Sequence, residues 1–155
     1  MFNTVEKIMK KKWLWILIFM YIAFIFSNSL QAGESSGSFS ASITTWILSL
    51  LSNFNISFAF DSFHHFIRKL AHFSEYAILG VLFMIASNKQ PLFKNFKLSY
   101  LIFCILPPSI DETIQYFVPG RYGTIKDVLL DISGFLCASI IIYLINKLNN
   151  KKEVA

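Results

Sequence analysis

Four long apolar runs, at about 13–30, 66–87, 98–118 and 127–146, alternate with short polar breaks. Each approaches the roughly 20 residues that a helix needs to cross a ~30 Å hydrocarbon core. Between the first and second runs, Ile43, Trp46, Ile47, Leu50, Leu51 and Phe54 recur at helical spacing, with Thr44, Thr45, Ser49, Ser52 and Asn53 on the opposite face. This stretch is uncharged and short for a span. It predicts a helix lying in the outer interface with Trp46 as an anchor, and a re-entrant segment covering a site is the alternative. Residues 31–38 predict a flexible exit from the first helix. Phe58, Phe60, Phe63 and Phe66 lead back into the membrane, and Lys89-Gln90-Pro91 predicts an inner turn. Pro107 and Pro108 remove amide donors from the third run, which predicts a kink just before Asp111. The expected fold is all-α: one membrane domain over 1–155, an integral four-helix bundle with a short interfacial or re-entrant helix between spans one and two.

Composition agrees with this class. The chain has 155 residues, 55% of them hydrophobic, with 17 phenylalanines and a mean hydropathy of +0.55. A soluble domain of this length has too little interior to hide so much apolar surface. The net charge of +5 raises the question of nucleic acid, and the placement of the charges answers it. Lys7, Lys10, Lys11 and Lys12 precede the first run, Lys89, Lys94 and Lys97 separate the second and third, and Lys147, Lys151 and Lys152 follow the fourth. The other side carries only Arg68, Lys69, Arg121 and Lys126. This asymmetry predicts both termini in the cytoplasm, with membrane lipid rather than nucleic acid as partner. The N-terminus also has the outline of a signal peptide, but Leu30 stands where a small residue is expected, so the segment reads as a retained span. Cys104 and Cys137 fall inside runs and read as buried, reduced thiols.

Against this apolar background the acidic residues stand out. Glu75, Asp111, Glu112, Asp127 and Asp131 lie in or at the edge of the spans, joined by His72, Arg68 and Arg121. Each such group costs roughly 2.5–3.5 kcal/mol at the centre of a membrane helix. The expected topology puts them at one depth. Arg68, His72 and Glu75 share one face of the descending second helix, Asp111 and Gln115 pair on the rising third, and Asp127 and Asp131 share a face of the fourth. Glu112 lies about 100° around from Asp111. The loop Pro119-Gly120-Arg121-Tyr122-Gly123-Thr124 sits above, where its glycines let backbone amides approach a ligand.

Several of these residues have plainer readings. Arg68 with Glu75, and Arg121 with Asp127, fit simple ion pairs between helices, and Asp127 fits a cap at the start of the fourth helix. Taken together, buried pairs seldom repay their desolvation, which favours a functional pocket.

Arg68-Lys69-Leu70-Ala71-His72-Phe73-Ser74-Glu75-Tyr76 with Leu79-Gly80, then Asp111-Glu112-Thr113-Ile114-Gln115 with Phe117-Val118-Pro119-Gly120-Arg121, then Asp127-Val128-Leu129-Leu130-Asp131 with Gly134 occur in that order. These segments, with Ser27-Asn28-Ser29-Leu30-Gln31, resemble the signatures of the VanZ-like membrane proteins over nearly the whole chain. The resemblance implies a bacterial envelope protein of the cytoplasmic membrane associated with resistance to the glycopeptide teicoplanin. It implies no reaction.

Two functions compete for the polar layer. The first is an intramembrane enzyme acting on a lipid-linked envelope intermediate or a phospholipid headgroup in the outer leaflet. In it Arg68, Lys69, Arg121 and Lys126 hold phosphate oxygens, with Gln115 and Asp127 completing the substrate site. His72 moves a proton and Glu75 orients it, while Asp111, Glu112 and Asp131 supply acid and base. The second is a non-catalytic protein that binds an envelope lipid or glycopeptide through the same cations. A carrier is disfavoured by a polar site on one side only and by the lack of inverted repeats. No cofactor is expected; a divalent cation on His72, Glu75, Asp111, Glu112 and Asp131 is the lesser alternative, opposed by the nearby arginines.

Overall fold

The apolar runs become helices because a backbone in lipid must satisfy its own hydrogen bonds. The computed structural model describes residues 2–89, 92 and 95–152, with side chains described for 13–89, 92 and 95–149. The elements are α1 (Phe2–Ser29), α2 (Gly33–Ser52), α3 (Phe60–Lys89), α4 (Phe96–Phe117) and α5 (Ile125–Lys152). No strand occurs among the described residues. The inner turn expected at Gln90-Pro91 lies outside them.

Helix α2 departs from the sequence reading in its extent. It starts at Gly33 and runs for 20 residues, so the expected flexible exit at 31–38 is mostly helix. Gly33 N–H donates to Pro119 O at 3.0 Å, and the Ser38 and Ser40 hydroxyls donate back to helix carbonyls, so the polar residues are absorbed without leaving the helix. Thr44 is fully buried, Trp46 is 63% exposed, Ile47 and Leu51 are half-buried, and Thr45, Ser49, Ser52 and Asn53 are exposed. The helix leaves the Trp13–Ser29 segment at 101°.

By length and composition, α3 and α5 can each cross a membrane, and the Trp13–Ser29 and Gly33–Ser52 pair qualifies only as one bent span. Helix α4 does not qualify alone: Asp111, Glu112, Gln115 and two prolines dilute its apolar residues. It runs as one helix through Pro107 and Pro108. The Ser109 and Thr113 hydroxyls donate to Ile105 O and Ser109 O beside them. Asn95 starts α4 by accepting the Leu98 N–H.

Helix α3 is the hub. It packs most extensively on α5 and also meets α1, α2 and α4. Its approach to α5 depends on two glycines. A Cβ on Gly80 would stand 2.5 Å from Phe135 O, and one on Gly134 would stand 2.3 Å from Phe73 O. Small residues at these points let the two backbones touch, which lends membrane helices much of their packing attraction. Toward the end of the bundle that holds the start of α1 and the end of α5, Phe83 is fully buried and sits among Trp15, Phe103, Phe135 and Tyr100 at ring distances of 5.2–6.0 Å. Outward-facing Phe19, Met20, Leu101, Ile105, Ile141 and Leu144 leave an apolar exterior suited to lipid.

Candidate functional site

The opposite end of the bundle is polar. Here the C-terminal turn of α1, the N-terminal half of α3, the last turns of α4 and the first turns of α5 meet. Asp111 and Asp131 are fully buried, and Glu112, Gln115 and Arg121 nearly so. One ligand atom from each of His72, Asp111, Glu112 and Asp131 lies within 4.8 Å of the others. The structure therefore brings the polar faces of α3, α4 and α5 to one point.

A hydrogen-bonded group from α4 forms the floor. Gln115 Nε2 donates to Asp111 Oδ2 at 3.2 Å, to Glu112 Oε1 at 3.1 Å and to Ser29 Oγ at 3.4 Å. Glu112 Oε2 accepts the Thr124 backbone N–H at 3.0 Å. Thr124 is also the entry to α5: its hydroxyl accepts the Asp127 N–H at 3.2 Å and donates to Asp127 Oδ2 at 2.7 Å. Asp127 is thus a helix-start residue, with Lys69 Nζ 4.0 Å from its Oδ1.

Arg121 is committed elsewhere. Its Nε donates to Gln31 O at 2.9 Å and its Nη2 to Asn28 O at 2.8 Å, so the guanidinium closes the C-terminal end of α1. Burial, then the neighbouring Arg68, pulls its pKa below the ordinary value, and Asp111, Glu112 and Glu75 oppose that shift. Gly120 takes φ +76° and lies against the start of α2, where a Cβ on it would stand 3.4 Å from Gly33 Cα. The loop backbone meets α2 there, where the sequence suggested a ligand.

Arg68 is different. It is half-buried and makes no hydrogen bond or ion pair among the described residues. The pairs anticipated between Arg68 and Glu75 and between Arg121 and Asp127 are not formed there; Glu75 Oε1 accepts from Asn28 Nδ2 at 3.3 Å instead. Two cavities flank this region. One of about 550 Å³ runs between α1, α2 and α3, and one of about 320 Å³ opens beside the 119–124 loop. Arg68, His72 and Arg121 line both. Lys69 and Asp127 line the second, while Lys126 is exposed and lines neither.

Some participants were not legible as site residues. Asn28 and Ser29 entered only with the family resemblance and with no role in the site, yet they contact Glu75 and Gln115. Tyr76 is fully buried beside Asp111 and Asp131. Ser40 Oγ stands 2.7 Å from His64 Nε2 and ties α2 to α3.

Fold and site together define an all-helical membrane protein with a buried acidic chamber at one end of its bundle. The chain belongs to the VanZ/LLP1 family, whose model matches residues 13–146. That membership points to a cell-envelope protein linked to glycopeptide resistance. No curated protein and no solved structure matches the chain.

Proposed function

We propose that this protein is a four-span bundle of the bacterial cytoplasmic membrane, termini inside, whose polar end takes the phosphate-bearing headgroup of a lipid-linked envelope intermediate or phospholipid from the outer leaflet. The observation that carries this reading is Arg68. A half-buried guanidinium with no partner of its own lines both cavities beside His72, and its planar fork suits phosphate oxygens. Lys69, at the mouth of the smaller cavity, adds charge. The excess of lysines near the termini and the connection between α3 and α4 supports the orientation. The two helices that cross by length and composition, α3 and α5, flank the chamber, and α1 and α4 complete the bundle against them.

His72, Asp111 and Asp131 would carry the chemistry, because they alone of the acid–base set keep buried atoms without a hydrogen-bond partner. Glu112 and Asp127 are occupied in holding the loop and the start of α5. That same occupation favours the second reading, a binding protein that holds the headgroup without turnover. Envelope lipids incubated with the protein in nanodiscs and analysed by mass spectrometry separate the two. A lipid consumed by wild type and spared by Asp131→Asn establishes an enzyme. Lipid retained unchanged by wild type, and lost from Arg68→Ala, establishes a binder. No retention and no turnover by wild type refutes both.

A further inference from the structure

We propose that His72, Asp111, Glu112 and Asp131 bind one divalent first-row cation, with Mn²⁺ or Zn²⁺ the best fit. The four residues come from α3, α4 and α5, and one ligand atom of each lies within 4.8 Å of the others. An ion with ligand bonds of about 2.1–2.4 Å holds adjacent ligands ~3.0–3.4 Å apart and opposite ones ~4.2–4.8 Å apart. The cluster has that size. His72 Nδ1 stands 3.9 Å from Asp131 Oδ1, too far for a direct hydrogen bond and inside the range for two ligands of one ion.

A group of acids alone would not define a site, and a second observation does. Asp131 is fully buried and neither carboxylate oxygen has a hydrogen-bond partner; Asp111 Oδ1 and His72 Nδ1 are also buried without one. Buried carboxylates are normally hydrogen-bonded, paired or metal-bound. Among the described residues, no lysine or arginine stands within 4.0 Å of Asp111, Glu112 or Asp131. Arg121, whose charge opposed a cation in the sequence reading, turns its donors onto Asn28 O and Gln31 O. Glu112 oxygens each accept one hydrogen bond and keep a second lone pair for a metal. One imidazole with three carboxylates suits a borderline ion rather than a thiophilic one.

The assignment of the ion stands without the lipid reading. Its role, polarising a phosphate oxygen presented by Arg68, rests on that reading. The test therefore reads the ion alone. Full-length protein is stripped with EDTA, placed in nanodiscs, dialysed against Mn²⁺ and assayed by elemental mass spectrometry against empty nanodiscs. One Mn²⁺ per chain is expected, with affinity reduced more than about tenfold in Asp131→Asn. Nitrogen hyperfine coupling in the Mn²⁺ resonance is expected from wild type and lost in His72→Ala. Mn²⁺ or Zn²⁺ should also raise the thermal midpoint of wild type, which decides the matter if a variant fails to fold. Wild type that retains no more metal than empty nanodiscs, after both ions, overturns the proposal. So does Mn²⁺ binding that survives unchanged in a folded Asp131→Asn protein.

Discussion

Thr124 donates its backbone N–H to Glu112 Oε2 at 3.0 Å, so an acid at the end of α4 fixes the residue that starts α5. The other carboxylate oxygen accepts from Gln115. Both oxygens face donors, and Glu112→Gln must turn an NH₂ toward one of them. We expect Glu112→Gln to lose about 1–3 kcal/mol, the penalty for a buried group left unsatisfied. Thermal unfolding in mild detergent with chelator present measures it. Asp131→Asn, which meets no donor, should be less destabilised under the same conditions. Equal losses would deny Glu112 its holding role.

Arg121 closes α1 with two charge-assisted hydrogen bonds. Lysine cannot reproduce the fork that reaches both carbonyls. Arg121→Lys should therefore lose about 1.5–3 kcal/mol, the value of a hydrogen bond to a charged group. Lys126→Gln, exposed in the first turn of α5, should stay within about 0.5 kcal/mol of wild type. Unfolding midpoints of both variants decide this, and an Arg121→Lys protein as stable as wild type would remove the cap.

The Gly80 and Gly134 contacts predict intolerance to any side chain. A Cβ at either would fall within 2.5 Å of a carbonyl oxygen on the facing helix. Gly134→Ala should cost about 1–3 kcal/mol as α3 and α5 are forced apart, and Gly134→Val more. Gly37, with nothing near its Cβ, is the control. Expression and melting of Gly37→Ala and Gly134→Ala should separate clearly.

What the sequence disclosed, and what it hid, follows from the range of each signal. The faces of α3, α4 and α5 were legible because helical spacing alone puts His72 with Arg68, Gln115 with Asp111 and Asp131 with Asp127. Their meeting point followed from alternating helix direction. Partner choice was not legible. Whether Arg121 would meet Asp127 or the end of α1 depends on a bend between α1 and α2 that no local pattern encodes.

Orientation in the membrane remains the premise on which an outer-leaflet ligand depends, and two positions test it. Tyr122 lies in the connection above the polar chamber and is 86% exposed; Asn149 lies at the far end of α5 and is also exposed. The lysine asymmetry predicts that they face opposite aqueous phases, with Asn149 inside. In a background with Cys104 and Cys137 replaced by serine, Tyr122→Cys should react with a membrane-impermeant maleimide on intact cells. Asn149→Cys should react only after permeabilisation. The reverse pattern would turn the chamber toward the cytoplasm, and Arg68 and His72 would then meet inner-leaflet headgroups. Labelling of both positions in intact cells would mean that α5 does not span, although it is the most apolar of the helices that qualify alone.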